Sequence, residues 1–250
     1  MSHDLNRSFH RKADEMRPCL FSLGAAPNAH GSALASFGNT KVLCTATADK
    51  EVPRFQSEKA QGWLTAEYGM LPCAAATRSS RERTMNNGRT KEIQRLIGRS
   101  LRACLNLSAL QGYRIIIDCD VLQADGGTRT ASICGAWLAL VQACASLRSS
   151  GELPEWPIIQ QIAAVSVGCC QDAIIADLDY SEDSQAQVDC NVVMNHHGEF
   201  IEIQGTAEGK AFNREQLGTM LDYAQKSITG IMQLQLQSLR DSGIAWTLTS

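Results

Sequence analysis

The sequence predicts an α+β protein made of two similar halves. Short strand-like runs give way to strong helical periodicity before residue 150, and a Gly/Pro-rich joint follows at 151–157. Strand-like runs and one long helix then recur. The expected division is 1–150 and 151–250, joined as one compact unit, although no repeat strong enough to prove duplication is visible.

Residues 1–15 are polar and charged and are expected to be loose. Residues 32–37 alternate, Gly38 and Asn39 supply a turn, and 41–48 is rich in Val, Thr and Cys, so 30–48 reads as a hairpin. Residues 50–90 have little periodicity, which marks a functional or disordered stretch. Ile93, Leu96, Ile97, Leu101 and Cys104 recur at helical spacing and predict a helix over 90–107. Arg95, Arg99 and Arg102 lie on another face, where some are expected to pair with acids in a subunit contact. Residues 113–122 read as a strand, 123–127 as a loop, and 129–148 as a helix buried through Ile133, Trp137, Leu140, Val141, Cys144 and Leu147. Strands are expected near 161–168, 172–179, 187–194 and 199–206, with a turn at 195–198. Asn213, with Gln216 three residues on, opens a final amphipathic helix.

Hydrophobic residues make up 44% and charged residues 20% of the chain, as in an ordinary globular protein, and the net charge is −3. That balance excludes a generally basic nucleic-acid binder, so RNA binding would need a local basic patch. The ten cysteines include no C-x-x-C pair and mostly sit in apolar runs, so they read as reduced core thiols. The N-terminal segment has no apolar signal-like region, and no stretch reads as a span of ~20 apolar residues. The expected location is the cytoplasm, with no membrane partner.

Three sets of residues are chemically suggestive. Gly126, Gly127, Thr128 and Arg129 follow a strand and open a helix. Unpaired helix N–H groups, glycines that permit close approach, a hydroxyl and a fixed cation together suit a phosphate. By pattern alone, a plain helix start with a surface arginine is the commoner reading. Arg78, Arg81, Arg83 and Arg89 surround a loop and could grip a single strand or simply face solvent. Glu182, Asp183 and Asp189 could hold Mg²⁺ or protonate a leaving oxygen, although by themselves they read more simply as surface acids. Asp118 and Asp120, two apart on one strand, form a rival acidic pair that would suit a metal-dependent hydrolase, or equally a solvent face or a hydrogen-bonded structural pair. His196 and His197 are adjacent in a turn, and their side chains are expected to point apart.

Five blocks resemble the bacterial RNase PH family: GWLTAEYGMLP at 62–72, GRTKEIQRLIGR at 88–99, DCDVLQADGGTRTASI at 118–133, EDSQAQVDCNVVM at 182–194 and IQGTAEG at 203–209. They occur in the family's order, and the similarity runs from about residue 17 to 225. The resemblance implies two ribosomal-protein-S5-domain-2-like halves and a phosphate-dependent 3′→5′ exoribonuclease that releases nucleoside diphosphates from tRNA precursors and other RNA tails. It also implies a homohexamer, a trimer of dimers, and no DNA substrate. Family phosphate ligands fall on Arg89, Gly127, Thr128 and Arg129. Catalytic or Mg²⁺-holding aspartates fall on Asp183 and Asp189, and RNA-guiding arginines on Arg78 and Arg81. Cys73 stands where the family has a basic residue, the loop at 83–87 is short, and Asp14-Glu15-Met16 occupies a segment that commonly bears arginine. A catalytically silent RNA-binding ring subunit is the alternative, and it would be expected to lack the aspartates or the arginine–threonine set.

Overall fold

The computed structural model describes residues 7–81 and 87–246. Arg83, Met85 and Asn86, part of the loop singled out above, lie outside the described residues. The first sheet contains β1 (Cys19–Leu23), β2 (Gly31–Phe37), β3 (Thr40–Asp49), β4 (Trp63–Met70) and β5 (Arg114–Gln123), in the order β1-β2-β3-β5-β4. A short helix α1 (Arg54–Ser57) precedes β4, and α2 (Gly88–Ala103) carries the chain from β4 to β5, its parallel neighbour. All other pairs in this sheet are antiparallel. After α3 (Thr128–Ser149) comes an antiparallel sheet of β6 (Ile162–Cys170), β7 (Ala173–Ala176), β8 (Val188–Asn195) and β9 (Phe200–Ala207), in the order β7-β6-β8-β9. The single-turn helix α4 (Tyr180–Asp183) lies between β7 and β8, and α5 (Arg214–Asp241) closes the described fold.

The two sheets share one hydrophobic core, with α3 at its centre. This helix packs on β2 and β3 from one half and β6 from the other. A helix covered on all sides must be apolar all round, and most of α3 is buried. It is also long and apolar enough to pass for a membrane span, contrary to the sequence expectation, but its place between the sheets makes it a core helix. Eight of the ten cysteines are buried, and all are free. Burial pushes the thiols of Cys134 and Cys144 up to about 12, so they act as small neutral core groups.

Several expectations need correction. Strands β1 and β4 were not foreseen. The predicted helix over 90–107 begins earlier, where the Asn87 side chain accepts from the Thr90 N–H, and it ends at Ala103. Leu105 then bridges Ile158. Strand β7 stops at Ala176 because Asp177 turns into the left-handed region, at φ 51°. The rings of His196 and His197 do not point apart; their centroids lie 3.8 Å from each other.

The largest departure is at the start of the chain. Arg7, Arg11 and Arg17 are buried, and all three reach into the turn that follows β7. The Arg7 Nε donates to Glu182 Oε1 at 2.7 Å, and Arg11 Nη2 donates to Glu182 Oε2 at 3.1 Å. Arg17 and Asp177 form a salt bridge in which neither side chain is exposed. Removing one member of a buried pair leaves an unpaired buried charge, so Arg17→Met is expected to lower unfolding free energy by about 3–5 kcal/mol, as measured by urea denaturation.

Candidate active site

One open cavity of about 870 Å³ lies between the two sheets' loops, and it gathers residues far apart in sequence. Its lining includes Arg89 from α2, Gly127, Thr128 and Arg129 from the start of α3, Asp183 from α4 and Asp189 from β8. Arg78 and Arg81 are exposed and do not line it; they lie on the chain just beyond Thr77, which does. Asp118 and Asp120 are also outside it, on β5. Burial, followed by Glu67 and Asp120, raises the pKa of Asp118. No cluster of three or more His, Cys, Asp or Glu suited to a metal occurs among the described residues.

The anion-binding end is made by the loop before α3. Gly126 and Gly127 have φ of 74° and 65°, a region that L side chains disfavour. A Cβ at Gly126 would lie 2.4 Å from the Leu178 carbonyl oxygen, so this glycine also lets the two halves approach. Helices α2, α4 and α5 begin with an Asn or Asp side chain that accepts from the first turn. Helix α3 is preceded by Gly127 at its cap position, which has no side chain to do this. Its first-turn amides and the positive end of its dipole therefore face the cavity without a side-chain cap.

Two neighbours orient this end. The Tyr68 hydroxyl lies 2.9 Å from Thr128 Oγ1. Burial raises the Tyr68 pKa, more than the Thr128 hydrogen bond and nearby Arg89 and Arg129 lower it, so the phenol is neutral. The Arg129 Nη1 donates to Gln204 Oε1 at 3.3 Å, while Gln204 donates to Glu92 Oε1 at 2.6 Å. Residues from α2 and β9 thus hold the Arg129 guanidinium of α3. Arg99 pairs with Glu202 of the same chain, Nε to Oε2 at 3.0 Å, and Arg102 donates to the Leu64 carbonyl at 3.0 Å.

The acidic end has a different support. Helix α4 has no buried residues of its own and keeps its place through polar contacts. Asp179 and Glu182 form a capping box, and Arg7 and Arg11 grip Glu182, the residue before Asp183. Asp189 projects from β8 next to Asn191, whose Nδ2 lies 3.4 Å from both carboxylate oxygens. Burial raises the Asp183 pKa, partly offset by Arg89 and Arg129. Burial and then Asp183 raise that of Asp189, against Arg129 and Asn191. The two acids share space with two arginines, an arrangement that suits binding an anion beside a cation or moving a proton between them.

Sequence reasoning did not single out Tyr68, Asn191, Gln204 or the buried N-terminal arginines. Tyr68 had a readable signal, since Leu64, Ala66 and Tyr68 alternate inward along β4. The arginines had none, because their acidic partners lie 160 or more residues away.

The raised Asp189 pKa has a consequence for stability. The folded state holds the Asp189 proton more tightly than the unfolded chain does. Its stabilising contribution is therefore complete below the unfolded value of about 3.9 and is lost as pH rises through the folded value. In metal- and phosphate-free buffer, Asp189→Asn should raise the melting temperature at pH 7, and the gain should shrink as the pH approaches 4. An unchanged or lower melting temperature at pH 7 would contradict this assignment.

Domain 1 of the 3′ exoribonuclease family (RNase PH) matches residues 15–145, and domain 2 matches residues 160–227. A curated relative, "Ribonuclease PH" of Corynebacterium glutamicum (strain R), is 51% identical over 240 residues, covering 95% of this chain and 98% of the relative. Among solved structures, an Archaeoglobus fulgidus exosome with RNA bound to the active site aligns with a TM-score of 0.80 at 19% identity, over 92% of each chain. Rice (Oryza sativa) Rrp46 aligns with a TM-score of 0.73 at 18% identity, over 93% of this chain and 100% of that one. These two likenesses concern the fold, whereas the two family matches and the close relative show that this chain belongs to the RNase PH family of 3′ exoribonucleases.

Proposed function

We propose that this chain is a phosphate-dependent 3′→5′ exoribonuclease that shortens RNA 3′ tails, those of tRNA precursors included, and releases nucleoside diphosphates. The carrying observation is that one cavity holds both an anion-binding helix start, with Arg89 and Arg129, and a pair of half-buried aspartates. A catalytically silent subunit would not need to keep both.

Inorganic phosphate would sit against the first-turn amides of α3, the Thr128 hydroxyl, Arg89 and Arg129. An oxygen of that phosphate attacks the phosphorus of the last phosphodiester. The new P–O bond forms as the bond to the preceding ribose 3′ oxygen breaks, and that oxygen takes up a proton. Arg129, held by Gln204, offsets charge on the phosphoryl oxygens. Asp183 or Asp189, with pKa raised by burial, would deliver the proton. Two carboxylates with hard oxygen donors also suit Mg²⁺, which keeps several of its waters. When bound there, the ion would neutralise charge on the leaving oxygen.

Arg78 and Arg81, exposed beyond Thr77, are proposed to guide the RNA strand toward the cavity. The proposed assembly is a homohexameric ring, a trimer of dimers. The open edge of β9, with Phe200 and Ile203 exposed, supports it, since uncovered apolar edge strands usually pair. A cytoplasmic location is supported by ten free thiols.

The test is a tailed tRNA incubated with Mg²⁺, with and without inorganic phosphate, while nucleoside diphosphates are quantified. Diphosphates should form only with phosphate; monophosphates formed without it would mark a hydrolase. Asp189→Asn should lower kcat at least about 100-fold without loss of folding. Arg129→Gln should raise the KM for phosphate about tenfold or more, and an unchanged KM would remove Arg129 from the anion site.

A further inference from the structure

We propose that Tyr180 forms a nucleobase subsite at the cavity rim, stacking against the base of the RNA's 3′-terminal nucleotide. The inference rests on the phosphorolytic reading above. Tyr180 lines the same cavity as Arg89, Thr128 and Asp183, yet it is 65% exposed. A large ring on an active-site rim, left uncovered, is suited to receiving a flat apolar partner. Tyr68, also in the cavity lining, cannot serve, because it is buried and its hydroxyl meets Thr128.

Geometry places this ring at the correct end of a nucleotide. Tyr180 and Asp183 are three residues apart on the single turn of α4, so they rise from one face, with Cβ atoms roughly 5–6 Å apart. A nucleotide whose phosphate lies beside Asp183 and Arg129 carries its base one ribose away, a reach comparable to the separation of Asp183 from Tyr180 in the same cavity lining. The backbone under the ring is braced before any ligand arrives. The Tyr180 N–H donates to Asp125 Oδ1 at 3.3 Å, and the other Asp125 oxygen accepts from Asn39 Nδ2 at 3.1 Å. The Asp179 capping box holds the same turn from below. Asp125 therefore ties Asn39 of the first half to α4 of the second, and the platform loses little freedom on binding.

The chemistry also suits an enzyme that removes one nucleotide after another. Each new terminus presents a different base, so a site that read hydrogen-bond patterns would stall. Stacking tolerates every base because each has a π-face.

The test uses RNA carrying 2-aminopurine at the terminal or at the penultimate position, bound to the full-length protein in phosphate-free buffer, where phosphorolysis cannot proceed. Terminal 2-aminopurine fluorescence should be quenched by the wild type and by Tyr180→Phe, and quenching should be largely lost with Tyr180→Ala at saturating protein. Penultimate 2-aminopurine should respond alike in all three. With phosphate restored, Tyr180→Ala should raise the KM for RNA about 5- to 150-fold and leave the KM for phosphate within about twofold. Equal terminal quenching by wild type and Tyr180→Ala, or a difference confined to the penultimate position, would overturn the proposal. Wild-type diphosphate release, followed in the same preparations, tests the reaction separately. If it is absent, the phosphorolytic reading fails, while the fluorescence comparison still decides whether Tyr180 contacts the terminal base.

Discussion

Much of the candidate site hangs on the pair formed by Arg17 and Asp177. Neither side chain touches solvent, and the contact is bidentate, with Nε to Oδ2 at 2.9 Å and Nη2 to Oδ1 at 2.7 Å. The Arg17 backbone N–H adds a third bond to the same carboxylate. The guanidinium's remaining donors reach the carbonyls of Asp125 and Gly126. One cation thus joins the turn after β7 to the loop before α3, which are the two segments that carry the aspartate and anion ends of the cavity. Burial opposes the charge on Arg17, and its bonds and proximity to Asp177 outweigh that, so its pKa is raised. Such pairs give little net stability compared with apolar packing, but they tolerate almost no displacement. Position is what this one secures.

Local pattern revealed the parts of the fold that are locally determined. The hairpin of β2 and β3, helix α2, strand β5 and helix α5 each carry their own periodicity or caps, and helix α3 stands out as one long apolar run. Strand β4 alternates as well, but Gly62, Gly69 and Pro72 around it disguise the run. Strand β1 has five residues, too few for a period to stand out. The charged N-terminal segment reads as loose because charge commonly means solvent, and no nearby residue announces its partners. The site divides along the same line. Gly126, Gly127 and Thr128 could be read as an anion-binding helix start because that geometry is local. Their meeting with Asp183 and Asp189 is a product of topology alone.

The cavity also reconciles a net charge of −3 with binding polyanions. Field at a cleft depends on what faces it, not on the sum over the chain. Here two arginines and a helix start face two acids whose ionisation burial suppresses. Burial thus strengthens the hold of both acids on a proton, and the two arginines beside them weaken it. The exposed Cys73 sits in the lining of the same cavity. It brings no formal positive charge, which leaves the cationic work to Arg89 and Arg129.

The grip of Arg7 on Glu182 spans 175 residues of chain. Translation delivers the arginine first and the acid much later; at about 5–20 residues per second the interval is on the order of ten seconds or more. Throughout that time α4 is not yet made, and the anion loop lacks its anchor at Asp177. A nascent chain is therefore without a working centre throughout the synthesis of the residues between Arg7 and Glu182. Because the acids follow their braces by so many residues, the nuclease centre is completed only after the arginines that hold it have long been made.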